Sequence, residues 1–230
     1  SRCFNRKGRN KEPAAYPYLS CKGEQWTPRM VWGVEDIVMC PGKEDMFNFL
    51  EDIIREVVPL FPGKYFHIGG DECPKTSWKH CPTCQKRIQN EGLQADGKHS
   101  AEERLQSYVI KRMEKMLAKY DRKIIGWDEI LEGGLSPDAT VMSWRGTSGG
   151  ISAALQKHDV IMTPGSGGLY LDHYQGDYKI EPVTIPSAPA YLSRTYNYEP
   201  VPDTIKSLGL EKHILGVQCN NWSEYMYTNA

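Results

Sequence analysis

Residues 64–72 read Lys64-Tyr65-Phe66-His67-Ile68-Gly69-Gly70-Asp71-Glu72, a short apolar run that closes on two glycines and then presents two adjacent carboxyls. A buried strand ends in this way when the backbone after it must turn sharply. The run therefore predicts a strand over Lys64–Ile68, with Asp71 and Glu72 at its C-terminal end. Just upstream, Lys43–Val58 sets Met46, Phe47, Leu50, Ile53, Ile54 and Val57 at helical spacing with acids early, and Pro59 and Pro62 end it. That pattern predicts an amphipathic helix.

Downstream the same alternation recurs. Ser100–Tyr120 predicts a second long helix, followed by a strand at Lys123–Trp127. A strand at Thr140–Trp144, a helix at Gly150–Lys157 and a strand at Asp159–Thr163 come next, running into the glycine-rich loop Pro164–Gly168. A Pro-rich excursion over Glu181–Pro202 precedes a helix at Asp203–Leu208 and a last strand at Ile214–Cys219. Strands alternating with helices imply parallel βα units, in a barrel or an open doubly wound sheet. Polar and aromatic residues gather at the C-terminal strand ends: Asp71, Glu72, Trp127, Asp128, Trp144, Asp172, Trp222 and Glu224. That favours the α/β class of (β/α)8 TIM barrels, whose chemistry sits on that face. About five strands are legible where a closed barrel has eight, so the expectation is a partial barrel over residues 14–230 with no internal domain boundary.

Composition narrows the function. The chain has 230 residues, 40% of them hydrophobic, and a formal charge of −1 from 28 basic and 29 acidic side chains. With no Lys/Arg run there is no electrostatic footprint for nucleic acid, and no apolar stretch approaches the roughly 20 residues of a membrane span. Six Trp and thirteen Tyr suit a large core or a cleft that stacks on flat ligands. Residues 1–13 are basic without an apolar stretch, so they read as a disordered leader, a vector remnant or a poorly matched start rather than a secretory signal. No motif sets an oligomeric state.

An isolated Asp-Glu pair in a loop is most often a solvated surface pair. Here it follows Gly-Gly, which lets the backbone approach a ligand, and three later strand ends each carry a tryptophan, Trp127, Trp144 and Trp222. Two neighbouring carboxyls in different environments can divide into a proton donor and an ionised partner. Glycosidic cleavage needs that division, because the leaving oxygen must be protonated while positive charge grows on the sugar ring.

His67-Ile-Gly-Gly-Asp-Glu72, Gly126-Trp127-Asp128-Glu129, Ser143-Trp144-Arg145-Gly146, Tyr170-Leu171-Asp172 and Asn221-Trp222-Ser223-Glu224, in that order, make the chain resemble the family 20 glycoside hydrolases, the β-N-acetylhexosaminidases. The resemblance runs from about Ala14 to the C-terminus. It implies a TIM-barrel catalytic domain and retention of configuration without a protein nucleophile, the substrate's 2-acetamido oxygen attacking the anomeric carbon. By position, Glu72 would be the general acid and then base. Asp71 would orient the acetamido N–H and stabilise the oxazolinium-like intermediate, and Tyr170 would hydrogen-bond the acetamido oxygen. Trp127, Trp144 and Trp222 would enclose the acetamido methyl, and Asp172 and Glu224 would accept hydrogen bonds from O4 and O6. The implied substrate is a glycan or glycoconjugate with a terminal β-linked GlcNAc or GalNAc, and the implied setting is outside the cytosol. The family's first-strand arginine and its early Asp and His have no counterpart, since Asn10-Lys11-Glu12-Pro13 stands where such a motif would precede Ala14-Ala15-Tyr16-Pro17. The expectation is a fragment lacking the first barrel strands.

Rival readings rest on fewer residues. A family 18-like chitinase shares the acetamido mechanism, but its Asp-x-x-Asp-x-Asp-x-Glu pattern is absent. An inactive homologue or carbohydrate-binding protein keeping the aromatic pocket remains the alternative from another class. Gly165-Ser166-Gly167-Gly168 lacks the Lys-Ser/Thr of a phosphate loop and instead leads to Tyr170, which it would re-aim. Cys81-Pro-Thr-Cys84, with Cys73 and His80 nearby, has the spacing of half a zinc site. A structural site usually shows two separated ligand pairs, so the reading takes these as thiols or a helix-start staple and assigns no metal and no cofactor.

Overall fold

A computed structural model describes residues 16–24, 33–185 and 187–226. The expectation of a disordered leader over residues 1–13 lies outside those residues. The backbone forms two compact units, one extending to Ala139 and the other starting at Thr140.

In the first unit, α1 (Glu44–Val57) buries Met46, Phe47 and Ile54, and its acids Glu44 and Asp45 lie in the first turn where the helix dipole favours them. β1 (Tyr65–His67) pairs in parallel with β2 (Lys123–Trp127), with His67 opposite Ile125. Between them run α2 (Thr76–His80), α3 (Pro82–Asn90) and α4 (Ala101–Ala118). A capping box starts α4: Ser100 Oγ accepts from the Glu103 N–H, and the Glu103 carboxylate accepts from the Ser100 N–H at 2.6 Å. Arg112 of α4 lies 4.1 Å from the Phe47 ring centre and, with Arg87 of α3, bonds the Glu44 carboxylate. Those hydrogen bonds, Arg112's first, hold the Glu44 carboxyl below its usual range.

Sequence periodicity does not anticipate α2 and α3. Their buried residues are only Trp78, Cys84 and Ile88, too few to print a helical stripe on two polar segments.

The second unit holds β3 (Thr140–Ser143), α5 (Ser148–Leu155), β4 (Val160–Met162), α6 (Leu192–Tyr196), α7 (Asp203–Ser207) and β5 (Ile214–Val217). β3, β4 and β5 pair in parallel in chain order, with an irregularity between Val160 and Ile161. α5 supplies the crossover from β3 to β4, and α7 packs against it. α6 is a short helix inside the Pro-rich excursion, a segment to which the sequence reading gave no element. The five strands fall where the sequence sets them, each within a residue or two of its expected ends.

Candidate active site

The parallel pairing of the first unit continues past β1. The Ile68 N–H donates to Ile125 O and the Trp127 N–H donates to Gly69 O, both at 2.9 Å. The chain then turns through Gly69 and Gly70, whose φ angles of 78° and 98° suit glycine. Space is as tight as torsion here. A Cβ on Gly70, or on Gly126 of β2, would come within 2.6 Å of the Ile130 side chain. The two glycines thus admit fully buried Ile130, and with it the 3₁₀ turn Asp128–Leu131, against the Asp71–Glu72 turn.

Glu72 itself has a φ of 48°, left-handed backbone that costs a side-chain-bearing residue of order 1–2 kcal/mol. Strain of this kind persists only where surrounding structure imposes it, and it concentrates at functional positions. Glu72 is exposed and Asp71 half-buried. The His67 ring lies 4.8 Å from the Trp127 ring, which is buried, so one of the three expected indoles stands beside the strand end that carries the acids. β1 is not the buried strand its apolar run suggests, since Tyr65 and His67 are both exposed; the protein packed around the imidazole still penalises its charged form and holds His67 down to about 4, with the Asp71 carboxylate working the other way.

The loop after β2 is fixed from α4. Buried Gln106 donates to Glu129 O at 2.8 Å, Arg104 to Gly133 O at 3.1 Å and Ser107 to Gly134 O at 2.5 Å. Lys75 bonds Glu132 at 2.7 Å with both side chains largely shielded, joining the segment after Glu72 to the segment after Trp127. Asp128 and Glu129 are both buried, at 2% and 5% exposure.

In the second unit, Trp144 follows β3 directly, and its carbonyl accepts from the Gly165 N–H. Gly165 lies against the Tyr170 ring, where an added Cβ would sit 3.5 Å from it. Gly168, at φ 77°, bends the chain two residues before Tyr170. Tyr170 then forms a parallel bridge with Asn220, with the Leu171 N–H donating to Asn220 O at 2.7 Å and the Asn220 N–H donating to Leu169 O at 2.8 Å. The Tyr170 ring also meets buried His173 edge-on at 5.2 Å.

Trp144, Tyr170 and the segment leading to Trp222 and Glu224 are therefore linked through Gly165 and Asn220. Asp172 is half-buried, and its Oδ1 is shielded without a hydrogen-bond partner among the described residues. Glu224 is half-buried, and Trp222 is 37% exposed.

Sequence reasoning missed Asn220. It is 5% exposed, donates to Thr163 Oγ1 at 2.9 Å and accepts from Gln218 Nε2 at 2.8 Å, locking the end of β4 to the end of β5. The available signal was an amide at a strand terminus directly before Asn221-Trp222. Gln106 was missed for a similar reason, being a polar residue on the buried face of α4.

The model of glycosyl hydrolase family 20, catalytic domain, matches residues 10–230. A β-hexosaminidase of Porphyromonas gingivalis is 58% identical over 218 residues, 94% of this chain and 27% of that protein. One from Vibrio furnissii is 33% identical over 90% of this chain and 33% of its own length. Among solved structures, the Flavobacterium johnsoniae chitobiase aligns with a TM-score of 0.73 at 28% identity, covering 91% of this chain and 30% of that one. The Vibrio harveyi exo-β-N-acetylglucosaminidase in complex with N-acetylglucosamine aligns at 0.74 and 29%, covering 84% and 29%. The chain thus spans about a quarter to a third of the length of these relatives. The parallel strands and helices of each unit belong to the α/β barrel fold of these relatives, the one of the two arrangements left open by the alternation that the polar and aromatic strand ends favoured. On the family match and the relatives together, the chain belongs to glycosyl hydrolase family 20.

Proposed function

We propose that the protein containing this chain is an exo-acting, retaining β-N-acetylhexosaminidase that removes terminal β-linked GlcNAc or GalNAc from glycans by substrate-assisted catalysis. The observation that carries the reading is the Asp71-Glu72 turn, where two carboxyls leave the C-terminal end of β1 and Glu72 is held in left-handed backbone. In the reaction, the substrate's acetamido oxygen attacks the anomeric carbon and the bond to the leaving oxygen breaks, while Glu72 gives that oxygen a proton. The product of the first step is a bicyclic oxazolinium. Asp71 accepts a hydrogen bond from the acetamido N–H and offsets the positive charge that develops there. Glu72, now a carboxylate, takes a proton from water as the water opens the ring, which restores the original configuration.

Tyr170 donates to the acetamido oxygen and keeps it within reach of the anomeric carbon. Trp127, Trp144 and Trp222 offer apolar faces to the acetamido methyl, with Trp222 also stacking on the sugar. Asp172 and Glu224 accept from its O4 and O6 hydroxyls. The shielded, unpartnered Oδ1 of Asp172 supports that role, because such an oxygen is costly to leave without a donor. No organic cofactor or catalytic metal enters this scheme. Export from the cytosol follows from where such glycans occur. Among the described residues, no helix is long and apolar enough to cross a membrane.

The test is turnover by the full-length protein. It should cleave an aryl β-N-acetylglucosaminide and leave the corresponding aryl β-glucoside intact, and Glu72→Gln should lose at least about 10²-fold in rate. Equal turnover of the plain glucoside would exclude the acetamido group as nucleophile. A thiazoline analogue of the oxazoline should raise the melting temperature of wild type more than that of Asp71→Ala.

A further inference from the structure

Four cysteines that take no part in that chemistry converge in the first unit. Cys21 follows the turn Pro17–Leu19, Cys40 precedes α1, Cys81 stands at the N-cap of α3, and Cys84 lies in its first turn. Their Sγ atoms all lie within 4.8 Å of one another. Individual separations are 3.6 Å for Cys21–Cys84, 3.7 Å for Cys40–Cys81 and 3.5 Å for Cys40–Cys84. A zinc–sulfur bond of about 2.3 Å gives a tetrahedron with edges of about 3.8 Å, so this is the spacing of four thiolates around one ion. Cys40 stands almost equally far from Cys81 and Cys84, an arrangement about a shared centre. Covalent pairing would single out one partner.

The backbone around the sulfurs is built to the same end. An antiparallel bridge between Ser20 and Met39 sets Cys21 beside Cys40, and the Cys40 N–H donates to Leu19 O at 2.8 Å. Lys43 Nζ holds the carbonyls of Tyr18 and Ser20 at 2.7 and 2.9 Å. A Cβ on Gly42 would fall 2.4 Å from the Thr83 carbonyl, so only glycine lets the Cys40 loop lie on the Cys81-Pro-Thr-Cys84 turn. Cys40 and Cys84 are fully buried and Cys81 is 5% exposed, with Val38, Trp78, Ile88 and Leu105 around them.

From this geometry we infer that Cys21, Cys40, Cys81 and Cys84 form a structural zinc site. The second ligand pair, which a local reading of Cys73 and His80 could not supply, comes from 41 and 63 residues away in the chain. Four protein ligands leave no open coordination position, so the ion has no catalytic part. It ties α2 and α3, the segment that directly follows Glu72, to the chain ahead of α1.

The full chain, expressed without added metal and passed over a desalting column, should carry about one zinc ion, measured by mass spectrometry and by release with a mercurial. Cys40→Ser and Cys84→Ser should fall below about a tenth of an equivalent, whereas Cys73→Ser should keep the full complement. Should the serine variants fail to fold, cobalt(II) exchanged into wild type decides the matter through the visible bands of a tetrahedral tetrathiolate complex. Wild type that holds no zinc, with these four cysteines titrating as free thiols or isolated as disulfides, would overturn the proposal, as would a cobalt spectrum without thiolate bands. None of these readouts depends on glycosidase activity.

Discussion

The Gly69 backbone N–H donates to His67 Nδ1 at 3.0 Å, which leaves the proton of the neutral imidazole on Nε2. The same ring is held down to about 4 by the surrounding protein, well below the ordinary histidine value near 6.5. Folding therefore opposes its protonation. Above pH 6.5 His67 is neutral whether folded or not and makes no pH-dependent contribution. As pH falls from 6.5 toward 4 the unfolded chain takes up a proton that the folded chain does not, and stability is lost across that window. Imidazole NMR should report the Nε2–H tautomer and titration below pH 5. The urea midpoint of wild type should fall more between pH 7 and pH 4.5 than that of His67→Gln, and equal falls would sink the assignment.

Left-handed backbone at Glu72 predicts that activity and stability pull apart there. Comparing Glu72→Ala with Glu72→Gly removes the carboxylate in both and changes only the tolerance for φ 48°. The glycine variant should be the more stable by about 1 kcal/mol, and both should lose at least about 10²-fold in rate on the aryl glycoside. Identical melting temperatures for the two would mean that the turn stores no strain.

The strand that ends in Gly69-Gly70 and helices α1 and α4 were legible because each carries its own local signal, an apolar run or an amphipathic stripe. Element ends drifted by a residue or two: β4 starts at Val160 although the Asp159 carbonyl already accepts from the Val141 N–H, and β5 stops at Val217, two residues short of Cys219. What stayed hidden was non-local. α2 and α3 are anchored by Trp78, Cys84 and Ile88 against Cys40 and Val38, contacts no window of sequence contains. Cys40-Pro-Gly and Cys81-Pro-Thr-Cys84 share a Cys-Pro start, but only the fold joins them, through the close approach of Gly42 to Thr83. The candidate catalytic residues were named for a different reason, since the ordered motifs from His67-Ile-Gly-Gly-Asp-Glu72 to Asn221-Trp222-Ser223-Glu224 carry a family resemblance.

Tyr170 offers a test of the acetamido assignment that leaves the fold alone. Its ring is seated by Gly165 and His173, contacts that phenylalanine keeps. Tyr170→Phe should therefore keep a cooperative melt and the far-UV circular dichroism of wild type. If the hydroxyl holds the internal nucleophile, kcat on the aryl N-acetylglucosaminide should drop by about 10²-fold with a much smaller change in KM. A drop confined to KM would assign the hydroxyl to ground-state binding instead.

Asn220 should behave as a positioning residue, because its side chain and backbone act on different neighbours. Its amide joins Thr163 and Gln218, while its backbone carries Leu169 and Leu171 on either side of Tyr170. Removing the amide leaves the fully buried Thr163 hydroxyl and its own cavity unsatisfied, so Asn220→Ala should cost about 1–3 kcal/mol. Thr163→Val removes the other end of the same hydrogen bond at similar volume. The double variant should then be less destabilised than the sum of the two, with a coupling of at least about 0.5 kcal/mol in chemical denaturation. Because Tyr170 depends on this bridge for its register, Asn220→Ala should also lower kcat at temperatures where it remains fully folded, and Thr163→Val should do so in proportion to its effect on the amide. Additive destabilisation together with unchanged kcat would reduce Asn220 to a packing residue and leave the aim of Tyr170 to the glycine loop alone.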